Sequence, residues 1–577
     1  MPLELRSYGF LSGLLKTSIP HAIIRSLTTS SRVRVHGTII PGDVEEFYRY
    51  SAQKWLWNEP AQLLRRYLQF DMDAFIHVAE EAAGDGSVCG DVTKLPEGNS
   101  NKVFLVTMQD GRQLIVKLPN PNAGPVHYTT ASEVATMQFV RNPSAFAGYL
   151  LSSEIKVTGI LIIFKVREKL HIPAPKVLRH CSRASESKLG VEYIVMEKAP
   201  GVELGRIWED LKSRDKLSIV KQTAAITCTL AQSRFPYHGA LYRKQDVSQS
   251  ESFVLDDEFA IGPTTGPAWF DNRRAEVEVH RGPWISAENV MKSLVQRETA
   301  CLEKFPTFPR DTQQGIFGGP SGYHPTKEAK LSVLRDFLKI CPHLLPRNEK
   351  LCAGVIWHND LHMHNIFVDS GNPSQITSII DWQGTPIYPM FLVCHHPSLI
   401  EYEGPELDGF AQPVLPDNIR TPDPEAKKAA KDLFLSQETL SGQLMGTIGS
   451  TYDDREPYVQ SLLADITEDH AWKELVGEDE NGNAGVLCPL SYSKQDMAKF
   501  KTEYAKWEKD VERKTRVLEE IGVYVGWNGA ASPNDYDEVV RRLAVAKQNF
   551  LARESANNQE RAIWESVWPF QDAFEGF

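Results

Sequence analysis

The chain has no CxxC pair, and its eight cysteines are scattered from Cys89 to Cys488 along 577 residues. That excludes a disulfide framework and a zinc ribbon, and it suits mostly buried free thiols in a reducing compartment. No apolar run approaches the roughly 20 residues that a membrane helix needs. The longest, Val157 to Phe164, is bracketed by Lys156 and Lys165. Positive charge is in the minority, with 63 Lys and Arg against 75 Asp and Glu and a net charge of −12. Such a chain is a poor candidate for non-specific nucleic-acid binding, which needs clustered basic residues. Internal repeats and sustained heptads are also missing. What remains, 42% hydrophobic and 24% charged, is a globular composition long enough for roughly two to four domains.

The charge is uneven. Residues 1–40 carry Arg6, Lys16, Arg25, Arg32 and Arg34 against Glu4 alone, among many Ser and Thr. Arg-rich, Ser-rich and acid-poor is the profile of a mitochondrial transit peptide, so this segment is expected to be an address or a disordered tail. The body is correspondingly more acidic than the total implies.

From Asp43 to Gly84 the apolar spacing predicts helix, closed by Gly84 as C-cap. Two β-like runs, Val103 to Met108 and Gln113 to Leu118, flank Asp110-Gly111 and predict a hairpin. A Pro/Asn/Gly loop over 119–125 leads into a helix beginning near Tyr128. Residues 142–167 follow neither helix nor hairpin logic, and Val140-Arg141 recurs as Val166-Arg167; an insertion or a misread gene boundary is expected there. "IPAPKVLRH" and "VEYIVMEKAPGVEL" read as a strand pair ending at an interlobe hinge, Pro200-Gly201. Beyond it the chain is mainly helical. Leu217, Val220, Ala224 and Ala231 form the expected apolar face of one helix. Ser532 and Pro533 form the expected cap and first turn of another. The expected domains are therefore residues 1–40 as tail, 44–197 as a small β-rich lobe with the insertion, and 198–577 as a large helical lobe.

The chemistry concentrates in "GVIWHNDLHMHNIFVDSGNPSQITSIIDWQG", where short strands at 355–357, 366–368 and 376–380 hold a polar loop. His358, Asp360, His362 and His364 alternate and could be read as a metal cluster with Cys394, His395 and His396. The spacing is not that of a helical HExxH site, however. The other reading is phosphoryl transfer. His-x-Asp-Leu with an Asn five residues after the Asp, then Asp381 after an apolar strand, is a catalytic loop followed by a metal loop. Asp360 would take the acceptor proton, and Asn365 and Asp381 would offer oxygen to Mg²⁺, a hard cation. The upstream partners stand in the required order. Lys117 ends the hairpin, and Glu133 lies sixteen residues on, placed to pair with it. Gly98, Ser100 and Asn101 precede the first strand as a phosphate cover, although the segment is not GxGxxG.

On these residues the chain resembles the aminoglycoside phosphotransferase and choline kinase-like family. "HNDLHMHNIFV" is similar to that family's HGDLHPGNVLV loop, and "IIDWQG" to its IDW metal segment. "LPEGNSNKVFLVTMQDG", "PNPNAGP", "ASEVATMQFV" and "RGPW" are similar to fungal members named for altered inheritance of mitochondria. The resemblance implies an α+β, protein-kinase-like two-lobed fold. It also implies ATP and Mg²⁺ as cofactors, a small-molecule hydroxyl acceptor, and a mitochondrial location. Asp360 would be the catalytic base, with Asn365 and Asp381 as Mg²⁺ ligands. Lys117 would touch phosphate and pair with Glu133, and the backbone from Glu197 to Ala199 would meet adenine. One departure concerns His358: where the family places Asp-Leu-Ala after the metal Asp, this chain has "TPIYPMFLV". The alternative is a non-catalytic nucleotide-binding scaffold that keeps the fold for mitochondrial maintenance. A protein kinase is disfavoured, because no Ala-Pro-Glu segment follows Asp381.

Overall fold

Gly111 takes a φ of +89°, which closes the Asp110-Gly111 turn and sets two apolar runs side by side. The resulting strands, Asn101–Met108 and Gln113–Pro119, pair antiparallel with Phe104 opposite Val116. They form the middle of a six-stranded antiparallel sheet. Its order is Arg32–Arg34, Cys89–Lys94, Asn101–Met108, Gln113–Pro119, Tyr193–Glu197, Val177–Cys181. Alternate residues such as Phe104, Val106, Val116 and Val195 are fully buried, and they pack against Phe47, Phe75 and Val78 from flanking helices. The computed structural model describes residues 32–34, 41–141, 172–310, 312–395, 397, 399 and 440–572. The expected insertion at 142–167 lies outside them. So does most of the expected tail, but Arg32–Arg34 is an edge strand paired with Asp91–Thr93, so not all of residues 1–40 is tail.

The expected single helical run from 43 to 84 is broken. It forms helices Pro41–Tyr48, Glu59–Leu64 and Met72–Ala83, with a short strand, Lys54–Trp55, between the first two. Asn58 in the left-handed region and Pro60 at the helix start enforce the interruption. Gly84, at φ +70°, ends the last helix as expected. Helix Tyr128–Arg141 is buried on nearly every side. It lies between the six-stranded sheet and a second, three-stranded sheet centred on Phe259–Gly262, whose edge strand Ala240–Arg243 brings Ala240 and Tyr242 against Ala131.

Past the hinge the chain is dominated by helices. Ser213–Gln232 forms as expected, but its buried line is Ile219, Thr223 and Leu230; Leu217 is 54% exposed. The helix after Ser532 begins at Tyr536, three residues later than expected. Ser532 Oγ accepts from the Asp535 amide and closes a separate turn first. The main core of the large lobe gathers Val333, Phe337, Ile340, Val355, Ile366 and Leu463. A further layer at the end of the chain is aromatic: Trp527, Phe550, Trp564, Trp568 and Phe570 enclose Trp57 from the beginning of the chain. Among the described residues, no helix is long and apolar enough to cross a membrane. The architecture is α+β and two-lobed, with the small sheet facing the large lobe across the site.

Candidate active site

Strands Ile366–Val368 and Ile376–Ile379 form an antiparallel hairpin, with Ile366 opposite Ile379. The hairpin therefore carries the polar loop and Asp381 at the same end, where the Ile380 amide donates to the Asn365 carbonyl at 3.0 Å. A third strand, Val202–Glu203, joins it directly after the hinge. Gly201 makes that approach achievable, because a Cβ there would stand 2.0 Å from the Val368 carbonyl oxygen.

Lys117 projects from the small sheet into this region. Its Nζ lies 2.7 and 3.0 Å from the two carboxylate oxygens of Glu133 and 2.8 Å from Asp381 Oδ1. Residues 264 apart in sequence thus meet on one ammonium group. Burial lowers the lysine pKa, but the two carboxylates outweigh it and hold the group firmly charged. For Asp381, burial acts upward, yet Lys117 outweighs it and keeps the carboxyl below its ordinary range. Glu133 is shifted upward, because its burial exceeds what Lys117 restores. One cation between two carboxylates leaves the cluster an excess negative charge, suited to receiving a divalent cation with its phosphates. Asp381 holds its place with a φ of +62°, an uncommon backbone state that turns the chain sharply after the strand.

The catalytic-loop residues are organised by short-range bonds. His358 is buried; its Nε2 bonds the Ile380 carbonyl at 2.9 Å, while Nδ1 accepts from the Asp360 amide at 3.3 Å. Burial lowers its pKa and favours the neutral ring. His358 therefore links the loop to the metal segment without the Asp-Leu-Ala sequence, and its ring meets Trp382 edge-on. Trp382 is fully buried, with its indole N–H bonded to the Ile379 carbonyl; it is a core residue. Asn365 donates to the Asp360 carbonyl at 2.9 Å, which leaves its own amide oxygen for another partner. His362 caps the turn Met363–Asn365 and sits 3.3 Å from Asp360 Oδ2, which steers the carboxylate. His364 turns away to Glu203, so the alternating histidines do not converge. Among the described residues, no group of three or more His, Cys, Asp or Glu side chains could hold a metal ion. Oxygen from Asp381 and Asn365 instead matches magnesium, which is held by few protein ligands together with phosphate and water.

Gly98 and Ser100 precede strand Asn101–Met108, which Asn101 opens opposite Pro119, two residues past Lys117 on the neighbouring strand. The base of this cover is fixed by Glu97, whose carboxylate is buried between Lys94 at 2.9 Å and Lys102 at 2.7 Å. Burial brings the Lys102 pKa down to about 8, against the pull of Glu97. A Cβ on Gly98 would meet nothing within 4 Å, so that glycine is not sterically required. Glu197 and Ala199 flank the end of strand Tyr193–Glu197 at the hinge, where Ala199 is buried. The sequence reading missed Gln383, Glu97 and Glu203. Gln383 lies two residues past Asp381, and Asn101 Nδ2 donates to its Oε1 at 2.8 Å. The density of Asn in 99–122 was the signal that could have drawn attention to it.

The model described as "phosphotransferase enzyme family" matches residues 91–391, a span that includes Lys117, Glu133, Asp360, Asn365 and Asp381. A subtelomeric hrmA-associated cluster protein of Aspergillus fumigatus is 26% identical over 541 residues, covering 84% of this chain and 97% of that protein. Altered inheritance of mitochondria protein 9, mitochondrial, of Yarrowia lipolytica is 22% identical, covering 68% of this chain and 66% of that protein. A solved streptomycin-ATP-APH(2")-IIa ternary complex aligns with a TM-score of 0.33 and 12% identity, covering 69% of this chain and 97% of that one. With more than half of its length matched, the chain belongs to the phosphotransferase enzyme family.

Proposed function

We propose that the chain transfers the γ-phosphoryl group of ATP, with Mg²⁺, to a hydroxyl of a small molecule in mitochondria. The observation that carries this reading is the Lys117 ammonium, held by Glu133 and reaching Asp381 across the two lobes. Held so, Lys117 would bind phosphate, and Gly98, Ser100 and Asn101 would cover the phosphate chain. The backbone from Glu197 to Ala199 would face adenine. Asn365 and Asp381 would hold Mg²⁺, which supplies charge neutralisation on the transferring group. Asp360, steered by His362 and the Asn365 amide, would accept the hydroxyl proton. Phosphoryl transfer asks little more of a protein than such positioning and electrostatics. The mitochondrial part is supported by the relatives named as mitochondrial and by the basic, Ser-rich start of the chain.

The test is Asp360→Asn, assayed with labelled ATP against a mitochondrial metabolite extract. Turnover should fall by about a hundredfold or more, the usual contribution of a positioned base, while ATP still binds. Near-normal turnover in the variant would sink the assignment. A wild-type chain that binds ATP but phosphorylates nothing in the extract would favour a non-catalytic scaffold.

A further inference from the structure

A phosphate cover without the glycine motif must be held still by something other than backbone amides in a tight turn. Residues 119–125 leave the Lys117 strand and run beneath the cover. The Asn120 amide donates to the Ser100 carbonyl at 2.9 Å, and Asn122 Nδ2 donates to the Asn99 carbonyl at 3.1 Å. From the other lobe, Gln383 holds both layers at once. Its Oε1 accepts from Asn101 Nδ2 at 2.8 Å, and its Nε2 donates to the Ala123 carbonyl at 3.0 Å. Both ends of one carboxamide are thus used, on two separate segments of the small lobe. The residue that supplies it stands two positions after Asp381.

We propose that Gln383 is a positioning residue, which with Asn101 clasps the phosphate cover to the metal segment and so orders the site for the phosphate chain of a magnesium nucleotide. The assignment rests on the phosphotransferase reading and adds to it a means of closing the site. Two further observations support it. Asn101 is 9% exposed and its Oδ1 has no partner, while Asn120 is 3% exposed with neither Nδ2 nor Oδ1 bonded. Buried amide groups without partners are costly, so the clasp retains neutral donors and acceptors beside the cover that a ligand could satisfy. The clasp also bridges the lobes through an uncharged pair, which adds no negative charge beside the carboxylates at Lys117.

The test compares Gln383→Ala, Asn101→Ala, the double variant, and the length-exchanged pair Asn101→Gln with Gln383→Asn. Affinity for Mg-ATP and for adenosine is measured by calorimetry, and amide exchange is followed over residues 98–101. Each single variant should weaken Mg-ATP binding by about tenfold, the worth of roughly one hydrogen bond, and leave adenosine within about twofold. The double variant should be no weaker than the worse single, because both remove one coupled contact. The exchanged pair should recover most of the affinity, and exchange at 98–101 should quicken in the single variants. Mg-ATP affinity unchanged in both single variants overturns the positioning role, as does an equal loss for adenosine. A wild-type chain that binds no Mg-ATP overturns the phosphotransferase reading itself and the positioning role with it.

Discussion

His238 is 3% exposed, and burial brings its pKa from an ordinary 6.5 down to about 4. The folded protein therefore keeps the ring neutral at pH values where the unfolded chain already binds a proton. Stability is full above about 6.5 and is lost as pH falls toward 4, by up to about 3 kcal/mol from this group. His238→Gln should flatten that acid limb, as read from denaturant midpoints between pH 7 and 4.5. An unchanged limb would mean that other groups set it. At this scale the sequence pointed to side chains that the fold brings into contact, Lys117 with Glu133 and Asp381, and Asp360 with Asn365. Lys117, Glu133, Asp360, Asn365 and Asp381 are residue types that phosphoryl transfer requires, in an order that the chain preserves. Gln383 was not legible, because its role depends on a contact spanning 282 residues between two neutral amides. The density of Asn in 99–122 hints at one side of such a pair, and nothing local marks Gln383 as the other. Glu203 was hidden for the same reason. Burial pushes its pKa up, but His364 and Arg206 outweigh that and hold it low, through contacts that only the folded hinge creates.

The hinge strand depends on close backbone approach at Gly201, which can be ranked against Gly190, in the turn before strand Tyr193–Glu197, by what a side chain would meet. Gly201 and Gly190 both have positive φ, at +91° and +75°. A Cβ on Gly190 meets nothing within 4 Å, whereas one on Gly201 would overlap the Val368 carbonyl. Gly190→Ala should cost about 1 kcal/mol, the backbone penalty alone. Gly201→Ala should cost several times more, on the order of 3 kcal/mol, because the catalytic hairpin itself must shift. Equal losses in thermal unfolding would show that the hairpin yields easily. Hairpins were the most legible elements, since turn chemistry and alternation act over a few residues. Helix starts were less so. Ser532 looked like a cap, yet it closes a turn of its own, and the buried line of Ser213–Gln232 is set by its neighbours rather than by its most apolar residues.

Trp57 and the last described helices meet in one aromatic layer, which no local pattern announces. Trp57 stands edge-on to Trp527 with ring centres 5.1 Å apart, and 5.7 Å from Phe570. Strand Lys54–Trp55 pairs there with Ala530–Ala531. Trp57→Ala should cost about 3–5 kcal/mol, as truncation of a buried large aromatic does. The measurement is the unfolding midpoint in denaturant; a loss below about 1 kcal/mol would show the layer to be dispensable to the fold.

The same pairing changes the mechanics of the molecule. The small lobe is joined to the large one at the hinge after Pro200. It is joined again through residues 51–57, which run from the Glu97 carboxylate, where the Ser51 amide donates, to the Ala530–Ala531 strand. A body attached at one point can swing and twist in any direction. Each further attachment removes a direction, and here helix Tyr128–Arg141 against Ala240 and Tyr242, the Lys117–Asp381 pair and the Gln383 amide add to those two connections. The small sheet is thus held against the large lobe from more than one side, by segments far apart in the chain.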